Sequence, residues 1–199
     1  MEGSYFYFFS WVGWVIATFF MKKDNRRLLT ALAILLLLAG SQTIIPVGAF
    51  RISASYFILG VICLAGISKA GRWQKLYVAI SALIVAMLYA IFHFIEIYDP
   101  VWIRFERTWF LSGVFVYASL LLVRHHMMRI FVIGIGAIQG EGIVTVVLYQ
   151  YGLHTDMGAG AFFDIIACSI GILCVFYAIY NGFSYMMPLK QKYVRERQG

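Results

Sequence analysis

Charged residues are scarce in this sequence. Asp, Glu, Lys and Arg make up 13% of its 199 residues, and hydrophobic residues make up 62%. A soluble domain carries about 25% charged residues, and about half of its residues are apolar. This composition excludes an ordinary soluble domain and indicates an integral membrane protein. Seven helices of about 20 residues each would cross a bilayer and leave no room for a separate soluble domain.

The sequence also has few residues of the kinds that build redox, metal or nucleotide sites. Its three cysteines, Cys63, Cys168 and Cys174, all lie in apolar runs, with no Cys-x-x-Cys pair and no histidine nearby. They are expected to be small buried residues rather than disulfide partners or metal ligands. The sequence contains no Walker loop, no nucleophile elbow, no His-Glu-x-x-His motif and no dinucleotide fingerprint. We therefore expect no metal and no cofactor, and an enzyme is the less favoured class.

No basic residue precedes the first apolar run, and no small-residue cleavage pattern follows it. A cleavable signal peptide needs both. Four cations, Lys22, Lys23, Arg26 and Arg27, come after the run instead. This order of charges predicts that the first span is retained, with its start outside the cell.

The apolar runs predict an all-α, polytopic integral membrane protein with about seven transmembrane helices. Only Arg51 separates the second run from the third, so we expect a tight turn there. Residues 1–187 are expected to form one membrane domain, and residues 188–199 a short basic tail. The predicted spans are 5–21, 28–50, 52–67, 76–97, 102–123, 130–151 and 161–187.

The positions of the cations predict the orientation. With the amino terminus outside, all of the 16 Lys and Arg residues except Arg51, Arg104 and Arg107 fall in cytoplasmic segments. The positive-inside rule therefore supports seven spans, an outer amino terminus and a cytoplasmic carboxyl terminus, in the cell membrane. The net charge of +7 is explained by these clusters, which attract anionic lipid headgroups. Nucleic acid is not an expected partner.

Glu141 is the residue whose placement in the bilayer costs the most free energy. It lies near the middle of the sixth span, in a segment that holds four glycines and Gln139. A carboxyl group at mid-bilayer costs about 2.5–3.5 kcal/mol on insertion scales, so it should face other helices or a cavity. One hypothesis is a carboxyl group that binds a proton or substrate. The other is a protonated Glu bonded to a neighbouring helix, with Gln139 as a helper.

A second polar segment, His-Phe-Ile-Glu-Ile-Tyr-Asp-Pro-Val-Trp-Ile-Arg-Phe-Glu-Arg-Thr-Trp, joins the fourth and fifth spans. Opposite charges across this hairpin could neutralise one another, with tryptophans at the membrane interface. A ligand site or an acid–base pair is the alternative. A His-x-x-Glu pair alone does not make a metal site, because such sites need at least three ligands. The candidate outer cluster consists of His93, Glu96, Asp99, Arg104, Glu106 and Arg107.

The opening Met-Glu-Gly, the aromatic first span, the following Lys-Lys and the second polar segment together resemble the YphA-type small integral membrane proteins of Bacillus-like bacteria. The resemblance covers nearly the whole chain. It implies a plasma-membrane protein of an endospore-forming bacterium, with a possible role in envelope or spore formation. It supplies no catalytic residues.

Three hypotheses for function follow. The first is a non-enzymatic accessory or scaffold protein of the cell envelope, linked to sporulation, that acts through another membrane protein. The second is a small proton-coupled transporter that uses Glu141, with the outer cluster as its entrance. The third is an intramembrane enzyme that modifies lipid with His93 and Glu96.

Overall fold

The computed structural model is a helical bundle that carries a small sheet at one end. It describes the backbone of residues 3–68, 70–99, 106–153 and 155–196, and the side chains of these residues except 26 and 182–196. The helices are α1 (Ser4–Phe19), α2 (Asn25–Gly40), α3 (Ala54–Ser68), α4 (Arg72–Tyr98), α5 (Arg107–Leu122), α6 (His126–Gln150) and α7 (Gly160–Glu196), and the strands are β1 (Ile44–Val47), β2 (Phe50–Ser53) and β3 (Asp156–Met157).

Each predicted span overlaps one of these helices, so the mostly helical fold class is confirmed. By length and composition, three of the helices can cross a membrane: Arg72–Tyr98, His126–Gln150 and Gly160–Asn181. The apolar stretches of α2, α3 and α5 are shorter, 10–17 residues each, and α1 has 16 residues. Backbone hydrogen bonding extends α7 to Glu196, beyond the position predicted for the start of the tail.

A β-hairpin replaces the tight turn predicted between the second and third spans. The predicted second span, 28–50, was too long, because α2 ends at Gly40. Strands β1 and β2 pair antiparallel around a two-residue turn, in which Gly48 has φ 61°. Ile44, Ile45 and Val47 favour an extended chain, and Pro46 lacks the N–H that a helix needs. The description all-α therefore holds for the bundle but not for this connection.

Strand β3 joins the hairpin from the segment before α7. It pairs parallel with β2, so that Arg51 lies opposite Asp156 and Ile52 opposite Met157. Nε of Arg51 also lies 3.4 Å from Oδ1 of Asp156. This sheet ties the α2–α3 connection to the start of α7, and we call this side of the bundle the hairpin end.

Helices α4 and α6 form the most extensive contact in the bundle. Two glycines one helical turn apart on α6 allow it. A Cβ atom on Gly136 would lie 2.6 Å from Cβ of Val85, and one on Gly140 would lie 2.7 Å from Cβ of Tyr89. No side chain fits in those gaps, so the two backbones approach closely, as small residues permit between membrane helices.

The opposite side of the bundle carries the α3–α4 and α5–α6 connections, and we call it the basic end. Arg72, Lys75, Arg124 and Arg129 lie there. The Tyr77 hydroxyl donates a hydrogen bond to the carbonyl oxygen of Leu122, which joins the start of α4 to the end of α5. Cations therefore gather where successive helices turn back at this end.

Candidate polar site between α4 and α6

Glu141 lies in the interior of the bundle, and its side chain is bound by other elements. It is 9% exposed, and Tyr89 beside it is 1% exposed. The Tyr89 hydroxyl donates a hydrogen bond to Oε2 of Glu141. The backbone N–H of Gly158 donates to Oε1 over 3.4 Å. A helix side chain and a loop amide thus hold the two carboxyl oxygens.

The loop that contributes Gly158 is positioned by the sheet and by a tyrosine of α3. Gly158 follows β3 directly and has φ 72°, a conformation that glycine adopts without strain. Tyr56 packs against it, since a Cβ atom on Gly158 would lie 3.0 Å from Cβ of Tyr56. The Tyr56 hydroxyl donates a 2.7 Å hydrogen bond to the carbonyl oxygen of Ile138 on α6. Helix α3, helix α6 and the loop are therefore fixed to one another around the carboxyl group.

His93 continues the site toward the hairpin end. Its ring stacks on the Tyr89 ring, with centroids 4.1 Å apart. His93 Nδ1 lies 2.9 Å from the Tyr89 carbonyl oxygen, which can only accept, so Nδ1 carries the proton. Nε2 is then the acceptor of the neutral ring, and Nη2 of Arg107 donates to it over 2.7 Å. The contacts of the ring thus assign its tautomer.

Arg107 joins this interior chain to the rim of the bundle. It is the first residue of α5, and its Nη1 lies 3.6 Å from Oε2 of Glu96. The ion pair predicted across the α4–α5 hairpin is present in this form. The guanidinium also interacts electrostatically with the Tyr89 hydroxyl and the Glu141 carboxyl group. The groups form a continuous polar chain, which we call the Glu141 chain: Glu141, Tyr89, His93, Arg107 and Glu96.

Asp99 and Glu106 of the predicted outer cluster make other contacts. Asp99 caps the end of α4. Glu106 precedes α5, and both of its carboxyl oxygens lie 3.4 Å from the Tyr5 hydroxyl. Arg104 lies outside the described residues. Gln139, predicted as a helper of Glu141, is exposed instead and lines a groove with Lys75. The structure therefore brings together Glu141, His93, Glu96 and Arg107, and separates Gln139 from them.

Tyr89 is the partner of Glu141 that sequence reasoning missed. A signal for it was available. Tyr89 lies four residues before His93 and seven before Glu96, so the three share one face of α4. Tyr56 gave no comparable signal, because its partner is a backbone carbonyl group.

Asp164 is a second buried carboxyl group, and its role could not be read from the sequence. It is 3% exposed, and its two oxygens accept backbone N–H groups of Gly3 at 2.6 Å and Phe6 at 2.7 Å. Gly3 is the N-cap of α1 and has no side chain to bind these donors. Asp164 on α7 therefore caps α1 from another helix, a favourable place for a carboxylate.

The Glu141 chain links the middle of α6 to the hairpin end, and its side chains contact one another. Such a group of side chains can hold a proton at the carboxyl group, or it can fix α4, α5 and α6 to one another. Three cavities formed by described residues lie at the basic end, beside Gln139 and beside Asp156, and Glu141 does not line these three. In the described part of the chain, no three His, Cys, Asp or Glu side chains come close enough to hold a metal ion.

Comparison with known proteins gives two matches. A family model described as "YphA-like integral membrane protein" matches residues 2–199. A relative from Bacillus subtilis (strain 168), described as "Uncharacterized protein YphA", is 27% identical over 176 residues, which cover 88% of this chain and 86% of the relative. No solved structure matches the chain.

Proposed function

This chain belongs to the YphA-like integral membrane protein family, and from that premise we propose that it is a non-enzymatic accessory protein of the bacterial cell membrane. It acts by binding another membrane protein within the bilayer. The observation that carries this proposal is the exposure of Gln139 on a helix that is otherwise suited to lipid. The Glu141 chain also supports it, because the carboxyl group of Glu141 already has its hydrogen-bond partners inside the bundle.

Gln139 lies where lipid cannot satisfy it. It is 13 residues from His126, the first residue of α6, which is about 20 Å along the helix at 1.5 Å per residue. Hydrocarbon chains offer its amide no hydrogen bond, and an unsatisfied amide costs free energy there. A polar side chain on a partner helix removes this cost. Interhelical hydrogen bonds of this kind contribute about 1 kcal/mol in membranes.

The surface around Gln139 can receive side chains of such a helix. It is a groove of about 370 Å³ between α3, α4 and α6. Small residues, Ser68 and Ala79, form part of its walls and allow close approach, while Lys75 places a cation toward the basic end. We infer a transmembrane partner helix with a polar residue at mid-bilayer and an acidic residue at the interface opposite Lys75.

We also propose that all seven helices cross the membrane, with the amino terminus outside and the carboxyl terminus in the cytoplasm. The alternation of the hairpin end and the basic end along the chain supports seven crossings, and the cations at the basic end support the orientation. The shorter helices can be accommodated by local thinning of the bilayer. No feature of the described residues bears on a link to sporulation, which stays a prediction.

Photo-crosslinking in the native membrane tests the partner hypothesis. A photo-reactive phenylalanine analogue at position 139 should give a discrete crosslinked product with another membrane protein. The same analogue at position 121 is the control, because Leu121 is 68% exposed on α5, away from the groove. Gln139→Leu, which keeps the bulk but removes the amide, should weaken capture of the same product from membranes. Crosslinks to lipid alone at position 139, as at position 121, would overturn the proposal.

Proton-coupled transport is the second candidate, and one observation favours it. The Glu141 chain leads from a buried carboxyl group to Glu96, which is partly exposed near the rim, and its link from Tyr89 to His93 is a ring stack and a bond to the Tyr89 backbone carbonyl oxygen. In proteoliposomes that contain a pH-sensitive dye, this hypothesis predicts proton flux that Glu141→Gln abolishes and Tyr89→Phe slows. Glu106→Gln, which removes a carboxyl group outside the chain, should leave the flux unchanged. Flux equal to that of empty vesicles would reject transport.

The lipid-modifying hypothesis gains no support from the geometry. It needed His93 and Glu96 free to act on a substrate, and Arg107 binds both side chains.

A further inference from the structure

The cavity at the basic end, between the start of α6 and α7, has a composition that suits one kind of ligand. Its volume is about 310 Å³. Arg129 and His126 provide polar atoms, and Leu173, Phe176 and Ile130 provide an apolar wall. Among the described residues that line it none is acidic, and the first turn of α6 carries no acidic residue either. The cavity thus joins cationic and apolar surface in one place.

Hydrogen bonds in the wall orient the polar groups. Nε of Arg129 donates to the carbonyl oxygen of Val123 over 2.6 Å, which fixes the guanidinium against the end of α5. Nη1 donates over 3.1 Å to Nδ1 of His126. Nδ1 is therefore the acceptor of a neutral ring, and the proton of that ring lies on Nε2. Nη2 of Arg129 and Nε2 of His126 remain as donors that these two bonds do not use.

The cavity lies at the start of α6, which the proposed topology places near the boundary between lipid tails and headgroups. His126 is the first residue of α6, and its ring lies 4.4 Å from the ring of Tyr177 on α7. Arg124 and Arg129 are close in sequence to the same helix start. Basic pockets between transmembrane helices at this level bind the headgroups of anionic lipids.

We propose that this cavity binds one anionic phospholipid, with its phosphate on Arg129 and His126 and an acyl chain along Leu173 and Phe176. The polar donors match phosphate oxygens. The apolar wall gives a reason to prefer a lipid over a free anion. The site is separate from the Gln139 groove, so this proposal stands or fails independently of the partner hypothesis.

Cys174 provides a native reporter, because it lines the cavity and is exposed, whereas Cys63 and Cys168 are buried. The protein is reconstituted in vesicles of phosphatidylcholine alone, or of phosphatidylcholine with a graded series of phosphatidylglycerol fractions. The rate of alkylation by an uncharged maleimide is then measured. Phosphatidylglycerol should slow alkylation of Cys174, and Arg129→Gln should raise the amount of phosphatidylglycerol needed by about fivefold.

Arg51→Gln is the matched control, because it removes one cation at the hairpin end, far from the cavity. It should respond to phosphatidylglycerol as the unaltered protein does. If Arg129→Gln needs no more phosphatidylglycerol than the unaltered protein for the same slowing, the slowing reflects surface charge alone and the proposal is overturned. Equal slowing by inorganic phosphate in phosphatidylcholine vesicles would identify a free anion as the ligand and would likewise overturn it.

A second variant separates binding from folding, since Arg129 also supports the end of α5. Cys174→Phe fills the cavity mouth without changing charge, and retained phosphatidylglycerol is counted by native mass spectrometry of the purified protein. Cys174→Phe should lose the retained lipid while its thermal unfolding stays the same. A full complement of bound phosphatidylglycerol in this variant contradicts the site.

Discussion

The Tyr89 hydroxyl donates a hydrogen bond to Oε2 of Glu141 across the most extensive helix contact in the bundle. Gly136 and Gly140 bring α6 against α4 just before Glu141, so the two side chains meet between closely packed helices. The carboxyl group that costs most to place in the membrane is therefore bound where α4 and α6 pack tightly.

Replacement of Tyr89 by Phe should test this contact. Tyr89→Phe keeps the ring that packs on Phe115 and His93 but leaves Oε2 of Glu141 without its donor. We expect a loss of about 1–2 kcal/mol in stability, measured by thermal unfolding in detergent. Tyr117→Phe is the control, because Tyr117 is 67% exposed on α5, and it should change little. An equal effect of both variants would show that the Tyr89 hydroxyl adds nothing specific.

Gly140→Ala should disrupt the packing of α6 on α4. The new Cβ atom would lie 2.7 Å from Cβ of Tyr89, which belongs to a side chain fixed on both faces. Overpacking of this kind costs about 1–3 kcal/mol. Gly113→Ala is the matched control, because nothing lies within 4 Å of its added Cβ. It should leave stability unchanged or raise it by up to about 1 kcal/mol, since alanine favours helix. Unfolding temperatures in one detergent compare the pair, and equal stability of the two variants would contradict the close contact.

Asp164→Asn should loosen the first turn of α1. The amide keeps one acceptor oxygen but presents an NH₂ group to the other backbone donor, at the places now taken by Gly3 and Phe6. We expect a loss of about 2 kcal/mol and faster hydrogen exchange in residues 4–8. Asp156→Asn serves as the control, because its pair with Arg51 is solvent-exposed and such pairs add little. Unchanged exchange at the start of α1 in Asp164→Asn would argue against the cap.

Cysteine accessibility tests the proposed orientation. With the native cysteines replaced, Ala49→Cys lies in the turn of the hairpin and Trp73→Cys in the first turn of α4, where Trp73 is 84% exposed. A membrane-impermeant maleimide applied to intact cells should label Ala49→Cys and spare Trp73→Cys. Both should react once the cells are permeabilised. Labelling of Trp73→Cys from outside would refute the orientation.

Gln139 and Glu141, two residues apart, show what could not be predicted from the sequence. Both are polar and both lie near the middle of α6, so the cost of polar groups in a bilayer identified them together. Residues two apart on a helix point about 200° away from each other. Which of them faces α4 depends on the packing of Gly136 and Gly140. In such an apolar helix, the sequence alone does not show which face packs against a neighbouring helix.

By itself, the sequence determined the membrane class, the approximate place of every helix and the end at which cations gather. These follow from the thickness of the hydrocarbon and the cost of charge within it, which act on each segment separately. Only the tertiary structure decided that Tyr89 binds Glu141, that Asp164 caps α1 and that residues 44–53 form a hairpin paired with β3. Those contacts join distant parts of the chain, so they depend on how whole helices pack and not on the composition of any one of them.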